Sequence, residues 1–200
     1  MGGTFDPIHI GHLILGEKTY EQLGLDKIWF MPAGNPPHKR NRAGRATDEQ
    51  RVAMVERAIS GNPHFEMHDH GLSYTYHTLE NLRKQNPDTD YYFIIGADSL
   101  YSFTTWMKPE RICAACTIVV ATRDHTPVKE LSEEMERLTQ LYHGHFVRLD
   151  TMNIDISSQL LRQWHQEGKS LRYYVPDAVA DYINEHHIYH ITEGAPETNG

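Results

Sequence analysis

The chain has 200 residues, which fits one folding unit with at most a small appendage and lets about two-thirds of the unfolded surface be buried. Hydrophobic residues make up 39% and charged residues 23%, an ordinary globular balance that argues against wholesale disorder, and no apolar run nears the roughly 18 residues that cross a bilayer. Nineteen Lys and Arg against 27 Asp and Glu give a net charge of −8, so sequence-independent attraction to nucleic acid is disfavoured and a phosphate ligand must be held by a local cluster. The start of the chain has neither the basic nor the apolar region of a signal peptide, and the expected location is the cytoplasm.

In chain order, a glycine turn at residues 2–3 leads into a helix running through 13–23. An apolar run at 28–31 reads as a strand, followed by a long basic loop over 33–46. Thr47-Asp48-Glu49-Gln50 resembles a capping box, with Val52, Val55 and Ile59 on one face of the helix behind it and Gly61-Asn62-Pro63 as its stop. Further strand-like runs fall at 91–95, 117–121 and 145–149, and Val128, Leu131, Met135, Leu138 and Leu141 mark a helical stripe between the last two. Continuous apolarity in these runs points to strands covered on both faces. The alternation predicts an α/β fold: a doubly wound parallel sheet with right-handed crossovers and ligands beyond the carboxyl ends of its strands. Past residue 149, two helices at about 157–167 and 176–187, with Pro176 at a first helical position, fit a small cap, and 191–200 reads as a loose tail. Cys113 and Cys116 are too few for a disulfide framework and supply only half of a zinc site; they read as small core residues.

The most informative segment is Gly2-Gly3-Thr4-Phe5-Asp6-Pro7-Ile8-His9-Ile10-Gly11-His12. Glycines let backbone approach a ligand, and His9 and His12, three apart, share one face of a helix start whose free N–H groups and positive end attract an anion. This is a predicted phosphate site. Ser157-Ser158-Gln159-Leu160-Leu161-Arg162 adds two hydroxyls at another helix start, with a guanidinium one turn in. His68-Asp69-His70 lacks the further spacing of a metal site, and His186, His187 and His190 read as a solvated helix end.

With these residues the sequence resembles the HxGH nucleotidyltransferases. Met31-Pro32 through Pro36-Pro37-His38-Lys39, Gly71 to Thr75, Phe93 to Leu100, Trp106 and Ile156-Ser157-Ser158 with Arg162 narrow the resemblance to the bacterial nicotinate mononucleotide adenylyltransferases. The resemblance implies a Rossmann-like core over 1–150, with 151–190 as a helical subdomain completing the ATP site. It implies transfer of AMP from ATP to nicotinate mononucleotide, giving deamido-NAD and pyrophosphate, with Mg²⁺ carried by the ATP phosphates and no metal held by the protein itself. His9, His12 and Arg162 would act on the transferring phosphate. Gly2, Gly3, Thr4, Phe5, Gly96, Asp98, Arg123, Ser157 and Ser158 would bind ATP. Asn35, His38, Lys39, Thr75, Tyr76, Asp98, Trp106 and Met107 would bind the mononucleotide, with Trp106 stacking on the pyridine. Arg40, Arg42 and Arg45 are expected to be solvated. Neither nucleic acid nor membrane is an expected partner, and a homo-oligomer is compatible with the sequence.

Three departures from the family pattern stand out. Gln159 replaces a usual Thr and His77 a usual Asp. The glycine turn should follow a central first strand, yet Met1 directly precedes Gly2, so the expectation is that the first strand is missing and the native chain extends upstream. Loss of a buried strand should cost several kcal/mol of a typical total of about 5 to 15. The alternatives are another phosphorylated acceptor, such as nicotinamide mononucleotide, or a nucleotide-binding regulator without activity.

Overall fold

Parallel pairing organises the fold, as the continuously apolar runs predict. The structure, a computed structural model, describes residues 1–34, 44–68, 74–122, 127–151 and 154–190. In chain order these form β1 (Gly2–Gly3), α1 (Ile10–Leu23), β2 (Ile28–Pro32), α2 (Asp48–Ile59), β3 (Phe65–Met67), α3 (Thr75–Gln85), β4 (Tyr92–Gly96), α4 (Ala97–Tyr101), α5 (Pro109–Ala115), β5 (Thr117–Ala121), α6 (Val128–Tyr142), β6 (Phe146–Leu149), α7 (Ser158–Gln166) and α8 (Asp177–Glu185). Strands β1-β2-β3 make one parallel sheet and β4-β5-β6 another. The two meet where β1 touches β4.

Local chemistry explains the first helices. Thr47 Oγ1 accepts from the Gln50 amide at 3.2 Å and Gln50 Oε1 accepts from the Thr47 amide at 2.9 Å, so the capping box starts α2. Gly24 ends α1 in the left-handed region at φ 61°, which only glycine adopts freely. A Cβ on Gly16 would lie 3.1 Å from the rings of Phe30 and Phe65, so this glycine lets α1 press onto β2 and β3.

Buried apolar side chains form two large clusters and a smaller one of Ile94, Val119, Ala121 and Leu149. One large cluster gathers Phe5, Ile8, Phe30, Met54 and Val55 with Leu161, Val179, Ile183 and Tyr189, so α7 and α8 pack into the core of the opening segment. The other gathers Leu79, Leu100, Phe103, Ile112, Ile118 and Leu138 around β4 and β5. The buried side chains of α2 are Arg51, Met54, Val55 and Ile59; the predicted stripe named Val52, which is only half-buried. On α6, Leu131 and Leu138 are buried, whereas Val128 and Leu141 at its ends are exposed. Cys113 and Cys116 are buried, and burial pushes their thiols up to about 11 and about 12.

β1 is short, and its backbone continues the β2 ladder through Met1: the Met1 amine donates to Trp29 O at 2.6 Å and the Met31 amide to Met1 O at 2.9 Å. Beyond it, a cleft of about 570 Å³ separates β2 from β4, lined by Met1, Ile28, Trp29, Tyr91, Phe93 and Ile94 among others. Among the described residues no helix is long and apolar enough to cross a membrane.

Candidate active site

The glycine string folds back on itself. Phe5 takes φ 49°, a left-handed conformation unusual for a side-chain-bearing residue, and its ring sits so close that a Cβ on Gly3 would be 2.8 Å away. Buried Arg51 holds the turn from α2, donating to Thr4 O at 2.6 Å and to Asp48 Oδ1 at 2.8 Å.

His9 is the N-cap of α1 and is only 1% exposed; His12 lies three residues on. Their rings stack with centroids 3.7 Å apart, and Phe5 meets His12 edge-on at 5.0 Å. A Cβ on Gly11 would lie 3.0 Å from His9 Nδ1, so glycine there spares the His9 ring a push. The His9 backbone N–H donates to His12 Nδ1 at 3.2 Å. An amide only donates, so Nδ1 must present its lone pair and the neutral ring carries its hydrogen on Nε2. His12 is therefore built as a hydrogen-bond donor through Nε2, and a second proton on the ring would break its cap bond.

The serine-led helix docks on this loop. Ser157 Oγ accepts from the Leu160 amide at 3.2 Å and caps α7. Ser158 Oγ donates to Pro7 O at 2.9 Å, a link across 151 residues. Arg162, only 7% exposed, donates to the carbonyl of Asp6, and its Nη1 is 3.7 Å from Asp6 Oδ2. Burial draws the Arg162 guanidinium below its usual range, and the Asp6 charge opposes that shift. The Ile10 amide, the first of α1, donates to Tyr174 O at 2.9 Å, which ties the segment between α7 and α8 to the same helix start.

Buried Asp6 is the hub. Its Oδ1 accepts from Tyr189 Oη at 2.8 Å and from the Ala46 amide at 3.2 Å; its Oδ2 accepts from Arg45 Nη1 at 3.0 Å. Burial and the Asp6 charge raise the Tyr189 hydroxyl well above its usual range, so it remains a donor. Arg45 thus corrects the expectation that it is merely solvated. Sequence reading passed over Asp6, Arg45 and Tyr189 as a group. The available signal was a carboxylate inside an otherwise neutral glycine-histidine string; its partners were not legible.

Gly2, Gly3, Thr4, Phe5, His9, His12, Ser157, Ser158 and Arg162 therefore come together. At the carboxyl end of β4, Gly96 caps α4 and Asp98 is exposed in its first turn; a Cβ on Gly96 would meet nothing within 4 Å. A small cavity of about 20 Å³ joins His9 and Gly11 to Thr122 and Thr151, just past the ends of β5 and β6. Thr75 and Tyr76 open α3. Half-buried Trp106 packs on Phe103 at 5.4 Å between centroids, and Met107 beside it is exposed. Asn35, His38, Lys39 and Arg123 lie outside the described residues, as do Arg40 and Arg42. Among the described residues, no group of three or more His, Cys, Asp or Glu is arranged to hold a metal ion.

Comparison with known proteins adds to this geometry. Residues 1–164 match the family described as cytidylyltransferase-like. The chain is 41% identical over 194 residues to a probable nicotinate-nucleotide adenylyltransferase of Lachnoclostridium phytofermentans, covering 94% of this chain and 96% of the relative. A probable nicotinate-nucleotide adenylyltransferase of Lactiplantibacillus plantarum is also 41% identical, with 94% and 86% covered. Among solved structures, the fold is similar to Plasmodium falciparum nicotinic acid mononucleotide adenylyltransferase complexed with NaAD, with a TM-score of 0.76 over 94% of each chain at 18% identity.

Proposed function

Because the chain belongs to the nicotinate-nucleotide adenylyltransferase family of cytidylyltransferase-like proteins, we propose that it transfers the adenylyl group of ATP to nicotinate mononucleotide, releasing pyrophosphate and forming deamido-NAD. The observation that carries the reading is the junction of two phosphate-directed elements: Ser158 donates to Pro7 O at 2.9 Å, which brings the start of α7 against the glycine-histidine loop at the carboxyl end of β1.

In the reaction, an oxygen of the mononucleotide phosphate attacks the α-phosphorus of ATP in line. The new P–O bond forms as the bond to the β-phosphate oxygen breaks, and pyrophosphate leaves with that electron pair. The protein aligns two polyanions and stabilises spreading charge. His12 donates through Nε2 to a phosphate oxygen, with His9 stacked behind it. Arg162 contributes charge while its hydrogen bond to Asp6 fixes its place. Mg²⁺ would be carried by the ATP phosphates and would neutralise part of their charge, since the imidazole and guanidinium groups of this loop are poor ligands for so hard a cation. Gly96 and Asp98 take the ribose side. The first amides of α3 and the ring of Trp106 take the pyridine and its carboxylate, with Met107 beside them. The family resemblance assigns Asn35, His38 and Lys39 to the mononucleotide phosphate and Arg123 to ATP. In this reading the 151–190 segment completes the ATP site, and the enzyme works in the cytoplasm.

The test is pyrophosphate release by the full chain with ATP and each acceptor in turn. Release with nicotinate mononucleotide well above that with nicotinamide mononucleotide is expected. Equal or better turnover of the amide overturns the acid assignment, and ATP binding without turnover of either overturns the transferase reading.

A further inference from the structure

The two elements assigned to the pyridine, the start of α3 and the Trp106–Met107 turn before α5, come from separate stretches of chain. Their apolar undersides share one core through Leu79 and Ile112. At the rim they are joined differently. Arg111 of α5 reaches across to α3 and grips Glu80 through a two-point fork, Nε to Oε1 and Nη2 to Oε2, each at 2.5 Å. The same guanidinium lies 4.5 Å from the centroid of the Tyr76 ring. Tyr76 and Glu80 are four apart on α3, so they share one face, and Arg111 binds that face as a single surface. Arg111 holds the Glu80 carboxyl below its usual range.

The other end of the link is constrained as well. Lys108, directly between the Trp106–Met107 turn and Pro109, sits at φ 56° and ψ 55°, a left-handed conformation that is unfavourable for a side-chain-bearing residue and more so before proline. The Arg111 amide donates to Lys108 O at 3.0 Å, so the residue that grips α3 also closes the first turn after this strained position. An exposed ion pair contributes little to global stability, but a two-point fork stacked on a ring is directional, so its effect falls on relative position more than on folding.

From this we infer that Arg111 is a positioning residue for the acceptor nucleotide: through Glu80 and Tyr76 it sets the distance between the first amides of α3 and the ring of Trp106. The inference rests on the proposed function above and assigns a specificity role to a residue outside the phosphate site. It predicts that loss of the fork loosens the pyridine end and leaves the triphosphate end intact.

The experiment measures steady-state pyrophosphate release by the full chain and by Arg111→Ala, Arg111→Lys and Glu80→Gln, varying each substrate separately. Arg111→Ala is expected to raise KM for nicotinate mononucleotide by about tenfold while KM for ATP and kcat stay within about twofold to threefold. Arg111→Lys, which keeps the charge and loses the fork, should recover only part of that rise, and Glu80→Gln should show a smaller rise in the same KM. An unchanged acceptor KM in Arg111→Ala, an equal rise for both substrates, or full recovery with Lys overturns the inference. Wild-type protein that releases no pyrophosphate with nicotinate mononucleotide overturns the functional reading and this inference with it. An active wild type with an unmoved Arg111→Ala overturns this inference alone.

Discussion

At His12 the backbone chooses the chemistry. The amide of His9 donates to Nδ1 at 3.2 Å, which leaves Nε2–H as the group offered to a ligand. In the proposed adenylyl transfer, removing a donor aimed at developing negative charge costs about a hundredfold to a thousandfold in rate by analogy with other anion-stabilising donors. The structural loss is the bond from the His9 amide together with the ring contacts to His9 and Phe5, about 1 to 3 kcal/mol in all. His12→Ala should therefore lose turnover by at least two orders of magnitude while the protein stays folded with a modestly lowered urea midpoint. Kinetics and denaturation of the one variant separate the two effects, and an unchanged rate or an unfolded protein contradicts the assignment.

Among the elements, β1 follows directly on a buried amine, that of Met1. Burial pulls the Met1 amine from 8.0 down to about 5, partly offset by nearby Cys116, because a charge beside Trp29 O loses its water without gaining a counter-ion. Between about pH 5 and pH 8 the unfolded chain binds a proton that the folded chain does not. Stability from this group is then complete above pH 8 and falls as pH drops toward 5, by about 1.4 kcal/mol per pH unit. Urea titrations of the 200-residue chain at pH 5, 6, 7 and 8 should show a midpoint that falls as pH drops through this window. A midpoint that stays level or rises would reject this account of the buried amine.

Across the whole molecule, Asp6 joins the beginning of the chain to its end through Tyr189, 183 residues away. Tyr189→Phe leaves a buried carboxylate oxygen one donor short, which should cost about 1 to 3 kcal/mol; thermal unfolding checks this, and a neutral result would mean that the Ala46 and Arg45 contacts suffice. In a molecule with a net charge of −8, Arg45, Arg51 and Arg162 gather around this one loop against Asp6 and Asp48, so the local balance is positive where the overall one is negative. Much of this was legible beforehand. The capping box at Thr47, the strands at 117–121 and 145–149, and the opening string with its two histidines depend on neighbours within about one helical turn or one strand, and residue order encodes such spacing directly. β3 with three residues and α4 with five were too short to show a period, and the buried face of α2 took Met54 into the apolar core and Arg51 as donor to the Thr4 carbonyl. The sequence by itself determined the opening glycine-histidine string with its helix start and which runs would become parallel strands. Only the tertiary structure decided that Asp6 would bind Arg45, Arg162 and Tyr189, that Ser158 would close on Pro7, and that Arg111 would grip Glu80, because desolvation and geometry act on groups brought together by the fold, and no local pattern records who will be beside whom.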